Sequence, residues 1–460
     1  MTRRLSGLDA IFLSADAPAA RLDVMAALVL DPSTIPGGYS FEKIREFLAA
    51  RLHLVPPLRR RVVEVAGGLV RPVWVEDPDP DLSYHVRRAA LPAPGDREDV
   101  AAFVSIVAEL PLERGRPLWQ MHVVEGLAGD RIALVAKLSH ALMDGMAGMS
   151  FMAALFAIAP EGQEVPVEEP GRAAPPPGTV ALLAEAAFDV WAQPLRLARV
   201  AVGAVRTGGR WARSWRRLGI PTLPFSGLRS QFEGPSDAGR SVGMGSVPLS
   251  LVAGIGAAAD ATVNDVMMAA VAGALRDLLA PDALDHPAVA FMPVSTRDDG
   301  GTEGNAVSVA LVRLPTDEND PVRRLDAVRE ELNRTKLRRE AIGGDLPARM
   351  SDLVPPAIVA SVVRGLMRVE ALRRLPAVAN LIVSNVPGPP VPLYFAGARI
   401  ESIYPFGPVY PGLAANLTML GCEDHLDLGV VAGRRGATFA AALPQHIANE
   451  LGRLSHAVIG

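Results

Sequence analysis

The chain has 460 residues, 49% of them hydrophobic, with a mean hydropathy of +0.22, enough apolar material to bury the cores of more than one domain. A net charge of -4 gives no global electrostatic footprint for nucleic acid, and a single cysteine, Cys422, excludes an internal disulfide and argues against a cysteine-based zinc site. The longest uncharged run near the central motif, 145–160, is shorter than the roughly 20 residues of a membrane-crossing helix, and Asp9 interrupts the apolar stretch a signal peptide needs.

Taken in chain order, the first half carries a predicted helix at 41–53 and another at 98–110, after the Pro94-Gly95 turn. A strand follows at 131–138, apolar at nearly every position and so expected to be buried on both faces. A helix is expected at 145–158. The stretch 160–179 is rich in Pro, Gly and Glu without periodicity and reads as a linker. A helical segment, 180–218, follows, with a kink at Pro194 and with Trp191, Trp211 and Trp215 set among arginines. Such a helix suits either an anionic membrane surface or a plain connector with solvated arginines.

In the second half, TVNDVMMAAVAGALRDLLA predicts a helix capped by Asn264 or Asp265, with Met267, Val271, Ala274 and Leu278 on one face. AVAFMPVSTR predicts a buried strand, 321–339 a long polar helix, and NLIVSNVPGPP a strand ending at a Pro-Gly turn. LAANLTML and HLDLGVVAG predict a hairpin, and a helix at 444–456 ends the chain. Strands and helices mix in both halves, which gives an α/β class and three parts: 1–160, a connector at 161–240, and 241–460.

The residues suited to chemistry cluster in KLSHALMDGMAGMSFM, 137–152. His140 ends the apolar strand, where a neutral imidazole suits general-base work near neutral pH. Asp144 and Gly145 follow as a turn. Alone, this spacing more often marks a core histidine beside an Asp-Gly turn. Ser139 and His140, as strand neighbours, point to opposite faces, which opposes a Ser-His dyad, and no Gly-x-Ser-x-Gly elbow surrounds Ser139. No His-Glu-x-x-His, Walker or dinucleotide loop appears, so no metal and no nucleotide cofactor is expected.

Several segments, in order, resemble the bacterial wax ester synthase/diacylglycerol acyltransferase family. They are LSGLDAIFL near the start, DLSYHVRRAALPAPG, Pro117-Leu118-Trp119, His140 with Asp144 and Gly145, TVNDV with Asn264 and Asp265, PVSTR with Arg297, and SNVPGP with Asn385. Two positions depart from the family pattern. Ser139 stands where its motif has a first histidine, and QFEGPSDAGRSVG, 231–243, replaces its usual stretch before the second domain.

The resemblance implies two chloramphenicol acetyltransferase-like domains with an active-site tunnel at their interface. It implies a fatty acyl transfer from acyl-CoA to diacylglycerol, giving triacylglycerol, or to a long-chain alcohol, giving a wax ester. His140 is the implied base, and acyl-CoA is a co-substrate, with no cofactor. Within that frame, Asn264 is the candidate oxyanion donor, its alternative being a helix cap. Asp144 would orient the site through Arg297. Gly145, Ser139, Trp119 and Asn385 would support it, and the Met-rich run after Gly145 would suit a wall for acyl chains, or ordinary helix core. Another hydroxyl or an amine as acceptor, and a lipid-binding homologue without turnover, stay open. The expected location is the cytoplasm, with peripheral contact at the inner membrane or lipid bodies.

Overall fold

Consecutive apolar residues flanked by turn formers pair as strands throughout, and they do so in sheets that draw on distant parts of the chain. The computed structural model describes residues 3–18, 20–64, 71–142, 151–152, 154–161, 208–209, 213–224, 226, 228, 237–281, 284, 286–295, 307–342 and 378–460. Its strands are β1 (Arg3–Arg4), β2 (Asp23–Asp31), β3 (Arg60–Val63), β4 (Val73–Glu76), β5 (Val86–Gly95), β6 (Trp119–Leu127), β7 (Ile132–Ser139) and β8 (Phe156–Ala157). There follow β9 (Arg240–Pro248), β10 (Ala288–Ser295), β11 (Val307–Leu314), β12 (Leu381–Val386), β13 (Tyr394–Phe395), β14 (Ala398–Phe406), β15 (Ala415–Cys422) and β16 (His425–Gly433).

One mixed sheet runs β5-β6-β7-β2-β14-β13-β8, a second runs β11-β10-β12-β15-β16-β9, and a small third runs β1-β4-β3. The first sheet therefore takes strands from both sides of the 161–240 segment. In it β7 lies between β2 and β6, antiparallel to both, and every residue of β7 is buried. Its side chains alternate as a strand must. Ile132, Leu134, Ala136 and Leu138 face an outer core with Trp119, Met121, Ile44 and Leu48. Ala133 and Val135 face a core shared with the second sheet, where Met25, Val104, Phe406, Met244, Ile382 and Val431 meet. The helix Arg97–Glu109 enters that shared layer through Val100, Val104 and Val107. The other side of the second sheet is covered by the helices Leu249–Ala259, Val263–Leu278 and Ala437–Ile459.

Asp427 joins the two sheets. It is fully buried on β16; its Oδ2 accepts the backbone N–H of Ile403 on β14 at 2.6 Å, and its Oδ1 accepts the Ser246 hydroxyl of β9 at 2.6 Å.

Several sequence expectations need correction. The cap of Val263–Leu278 is Thr262, not Asn264 or Asp265: Thr262 Oγ1 accepts the Asp265 N–H at 3.2 Å, and Asp265 Oδ2 accepts the Thr262 N–H at 2.9 Å. That helix is buried all round from Asp265 to Leu275 rather than on one face, because helices and a sheet enclose it. The last helix starts at Ala437, with Pro444 inside it. Gly243 and Gly245 on β9 let it lie that close; a Cβ at Gly243 would fall inside the Ala440 carbonyl. The expected helix at 145–158 is helical at 151–152 and 154–155 but strand at Phe156–Ala157, which pairs with β13 so that Phe156 meets the buried ring of Phe395. Its first part, 145–150, lies outside the described residues. So does most of the 161–240 connector, including Trp191 and Trp211; residues 213–218 are helical and Trp215 is exposed. The helices at 41–51, 97–109 and 321–342 and the β15–β16 hairpin stand where the sequence places them, within a few residues.

Among the described residues no single helix is long and apolar enough to cross a membrane.

Candidate active site

β7 ends at Ser139 because the ladder ends there: Asp23 pairs opposite Ser139, and Ser139 N–H donates to Leu118 O at 2.9 Å. One further link carries the chain on, from His140 N–H to Leu22 O at 3.1 Å. His140 thus enters the turn with its backbone fixed. Its ring stacks on Phe12, centroids 4.4 Å apart and planes at 29°. Phe12 lies on the helix Gly7–Ala15, whose cap Ser6 accepts the Asp9 N–H and donates its hydroxyl to Asp9 Oδ2 at 2.6 Å. Asp9 and Phe12 stand three residues apart and so share a helix face. Burial holds the His140 imidazole below its ordinary 6.5, against its own backbone and the Asp9 charge, which raise it. The ring is neutral at pH 7, and its Nδ1 is buried without a hydrogen-bond partner among the described residues. His85 and His122 also leave a ring nitrogen unpartnered, but both are buried within packed cores. His140 is half-buried, at a strand end rather than inside a core.

Ser139 is buried and forms no dyad with His140. Its Oγ accepts the Ala141 N–H at 3.4 Å instead, inside the same turn. Two residues back, on the same face as Ser139, Lys137 is almost wholly buried. Its Nζ donates to Val107 O at 2.9 Å and to Leu110 O, and it lies 3.2 Å from Asp23 Oδ2. Desolvation outweighs the attraction within this pair, lowering Lys137 and raising Asp23. The lysine ties the C-terminal end of the helix Arg97–Glu109, whose last carbonyls have no partner within the helix, to the end of β7.

Trp119 opens β6 and anchors it. Its Nε1 donates to Leu58 O at 2.9 Å, and its ring stacks on His85 at 4.4 Å. With the ring fully buried, its part in the site is packing.

Asn264 and Asn385 meet: Asn385 Nδ2 donates to Asn264 Oδ1 at 3.4 Å. Asn264 lies in the first turn of its helix and Asn385 on β12. Since Thr262 does the capping, Asn264 is free of that duty, and its own Nδ2 has no partner among the described residues. No hydrogen bond or ring contact among the described residues links this amide pair to His140. Asp144, Gly145 and Arg297 lie outside the described residues.

A crevice of about 20 Å³ lies beside Ser139, between Phe12, Leu22, Asp23 and Leu118, with room for a water and no more. A larger groove, about 650 Å³, is lined by Phe41, Arg45, Asp81, Tyr84, Arg87 and Arg88; it is shallow and contains none of the candidate residues. Its size does not outweigh the chemistry at the end of β7. Of the Met-rich run expected to wall a tunnel, 146–150 and 153 lie outside the described residues, while Leu155 is buried in the outer core with Phe151, Ala154 and Phe156 packed against it, as ordinary core does.

Sequence reasoning passed over Asp9, Phe12 and Lys137 as site residues. Asp9 and Phe12 were visible in LSGLDAIFL, and a lone lysine in an apolar strand is itself a signal.

Comparison with known families and structures bears on this arrangement. Residues 5–267 match the model of the wax ester synthase/diacylglycerol acyltransferase catalytic domain, and residues 303–455 match the WS/DGAT C-terminal domain. Two Mycobacterium tuberculosis proteins that carry provisional names as diacylglycerol O-acyltransferases are 36% identical over 446 residues (94% of this chain, 92% of theirs) and 33% identical over 440 residues (93% and 85%). Among solved structures, the wax ester synthase/diacylglycerol acyltransferase from Marinobacter aquaeolei VT8 superposes with a TM-score of 0.69 at 24% identity, covering 100% of both chains. The first condensation domain of the calcium-dependent antibiotic synthetase gives 0.59 at 16% identity, covering 100% and 97%. These two likenesses show the fold.

Proposed function

The chain belongs to the wax ester synthase/diacylglycerol acyltransferase family, with the chloramphenicol acetyltransferase-like fold, and is an acyltransferase; from that premise we propose that it moves a fatty acyl group from acyl-CoA to the hydroxyl of diacylglycerol, with long-chain alcohols as second acceptors and His140 as the base. The observation that carries the reading is the neutral, half-buried imidazole of His140, held against Phe12 at the end of β7.

An alcohol is a poor nucleophile until its proton leaves. His140 takes that proton as the alcohol oxygen attacks the thioester carbon, a contribution of about 10²–10⁴-fold. The carbonyl oxygen becomes an oxyanion. Asn264 donates to it through the uncommitted Nδ2, at a helix start whose dipole favours negative charge, while Asn385 holds the amide in place. The intermediate collapses, the C–S bond breaks, and the CoA thiolate takes the proton back from the imidazolium. No covalent enzyme intermediate and no cofactor enters. Asp144, with Arg297, orients the site, and Gly145 allows the turn that follows His140. The substrates meet in a tunnel between the 1–160 and 241–460 parts, joined by 161–240. The protein works in the cytoplasm, touching membrane or lipid bodies through exposed groups such as Trp215.

Thiol release from palmitoyl-CoA with dioleoylglycerol, hexadecanol or no acceptor tests the substrate assignment. Release that depends on dioleoylglycerol and exceeds that with hexadecanol supports it. Release with neither, from a folded protein that binds palmitoyl-CoA, overturns it. In Asn264→Ala, kcat falls by about 10²–10³-fold with little change in KM for acyl-CoA, because the contact forms only in the transition state.

A further inference from the structure

The tip of the β15–β16 hairpin carries the sequence Cys422-Glu423-Asp424-His425-Leu426-Asp427. Its register decides where these side chains go. Cys422 and His425 are direct cross-strand partners, so they share a sheet face, and Asp427, two residues beyond His425, shares it too. Cys422 Sγ, an imidazole nitrogen of His425 and a carboxylate oxygen of Asp427 all lie within 4.8 Å of one another. None of the three belongs to the site at the end of β7.

We propose that Cys422, His425 and Asp427 form a binding site for one divalent transition-metal ion of the zinc type, completed by water.

Four features of the geometry support it. First, His425 Nε2 is buried 3.4 Å from Asp427 Oδ2, and no hydrogen bond of good geometry reaches it among the described residues. Bonds of about 2.0–2.1 Å at tetrahedral angles set neighbouring donor atoms about 3.4 Å apart, the separation of two ligands across a metal. Second, the other ring nitrogen, Nδ1, lies 2.9 Å from Asp424 Oδ1. A carboxylate on the far nitrogen fixes the tautomer with Nε2 as the lone-pair atom and orients the ring, the usual outer support of a metal-bound histidine. Third, thiolate, imidazole and carboxylate together suit zinc, and two anionic ligands balance its charge. Fourth, Cys422 and Asp427 are buried while His425 is half-buried, which leaves an entry path on the histidine side.

The role is structural. Asp427 already holds Ile403 of the first sheet and Ser246 of the second with its two oxygens. A metal there would add a link from the hairpin tip to the point where both sheets join. Sequence reasoning expected no metal because it sought several cysteines or two histidines on a helix. Here the spacing Cys-x-x-His-x-Asp gains its meaning only from a hairpin register. The competing arrangement is an ion pair, a protonated His425 between the Asp427 and Asp424 carboxylates.

The test is titration of the metal-free full chain with Co²⁺, then competition with Zn²⁺. The expected result is one equivalent bound, with a sulfur-to-cobalt charge-transfer band in the near ultraviolet that Zn²⁺ abolishes. Cys422→Ser removes that band. Asp424→Asn, an exposed change with no packing cost, keeps the band but weakens affinity by about 10–100-fold. Circular dichroism and metal-free melting of both variants, matching the parent, show that they are folded. Absence of stoichiometric binding, binding without the sulfur band, or a band that survives Cys422→Ser each overturns the proposal; the first leaves the ion pair as the occupant.

Discussion

The His140 imidazole is useful as a base only while neutral, and burial keeps it so below its ordinary 6.5. The acid limb of kcat therefore falls below pH 6.5. Asp9 acts the other way, favouring the charged ring, so Asp9→Asn moves the limb lower still; a pH profile of thiol release from both proteins checks this. Phe12→Leu keeps an apolar side chain but loses the stacked ring. We expect kcat to fall about tenfold, with melting temperature changed by only a few degrees, because a freed imidazole samples unproductive orientations. At this scale the sequence was half legible. His140 and Asn264 stood in recognisable spacings, and the pairing of Asn264 with Asn385 joined two residues named separately. The platform beneath His140 was not legible, since helical spacing puts Asp9 and Phe12 on one face but says nothing of what that face touches.

Elements show where local rules yield to packing. β7 was readable because an unbroken apolar run in a strand means burial on both faces. Lys137 is the one charged residue within it, and the structure gives the reason: it satisfies carbonyls at the end of a neighbouring helix. Lys137→Met leaves those carbonyls and Asp23 unpaired inside the protein. A loss of about 3–5 kcal/mol is expected in urea unfolding. The last helix was misjudged because proline suggests a start, whereas here it sits mid-helix against β9. Gly243→Ala, whose Cβ would collide with Ala440, forces helix and strand apart and costs several kcal/mol, whereas Gly452→Ala, with open space around it on the same helix, is neutral or stabilising by about 1 kcal/mol. Comparing the two melting temperatures separates packing from propensity.

Over the whole molecule, buried histidines set an acid limit on stability. Burial lowers His85, His122 and His140, with His122 at about 4. A histidine whose folded value lies below its unfolded one contributes stability that is full above the unfolded value, near 6.5, and is lost as pH falls toward the folded value. Between pH 8 and 5, His122 alone accounts for about 2 kcal/mol. Urea unfolding of the parent and of His122→Phe across that range isolates this share: toward pH 5 the parent loses about 2 kcal/mol more than the variant. The α/β class was legible from period and turn chemistry, but β2, β5, β9, β11 and β14 were not among the expected strands. The crossing of β13 and β14 into the first sheet was not, because pairing between distant strands leaves no periodic trace.

The most direct measurement compares kcat for acyl transfer from palmitoyl-CoA to dioleoylglycerol in the parent chain and in His140→Ala, with circular dichroism on both. A fall of at least about 10²-fold in a folded variant is predicted. A folded variant that retains the parent rate would contradict His140 as the base and return the search to another group near the end of β7.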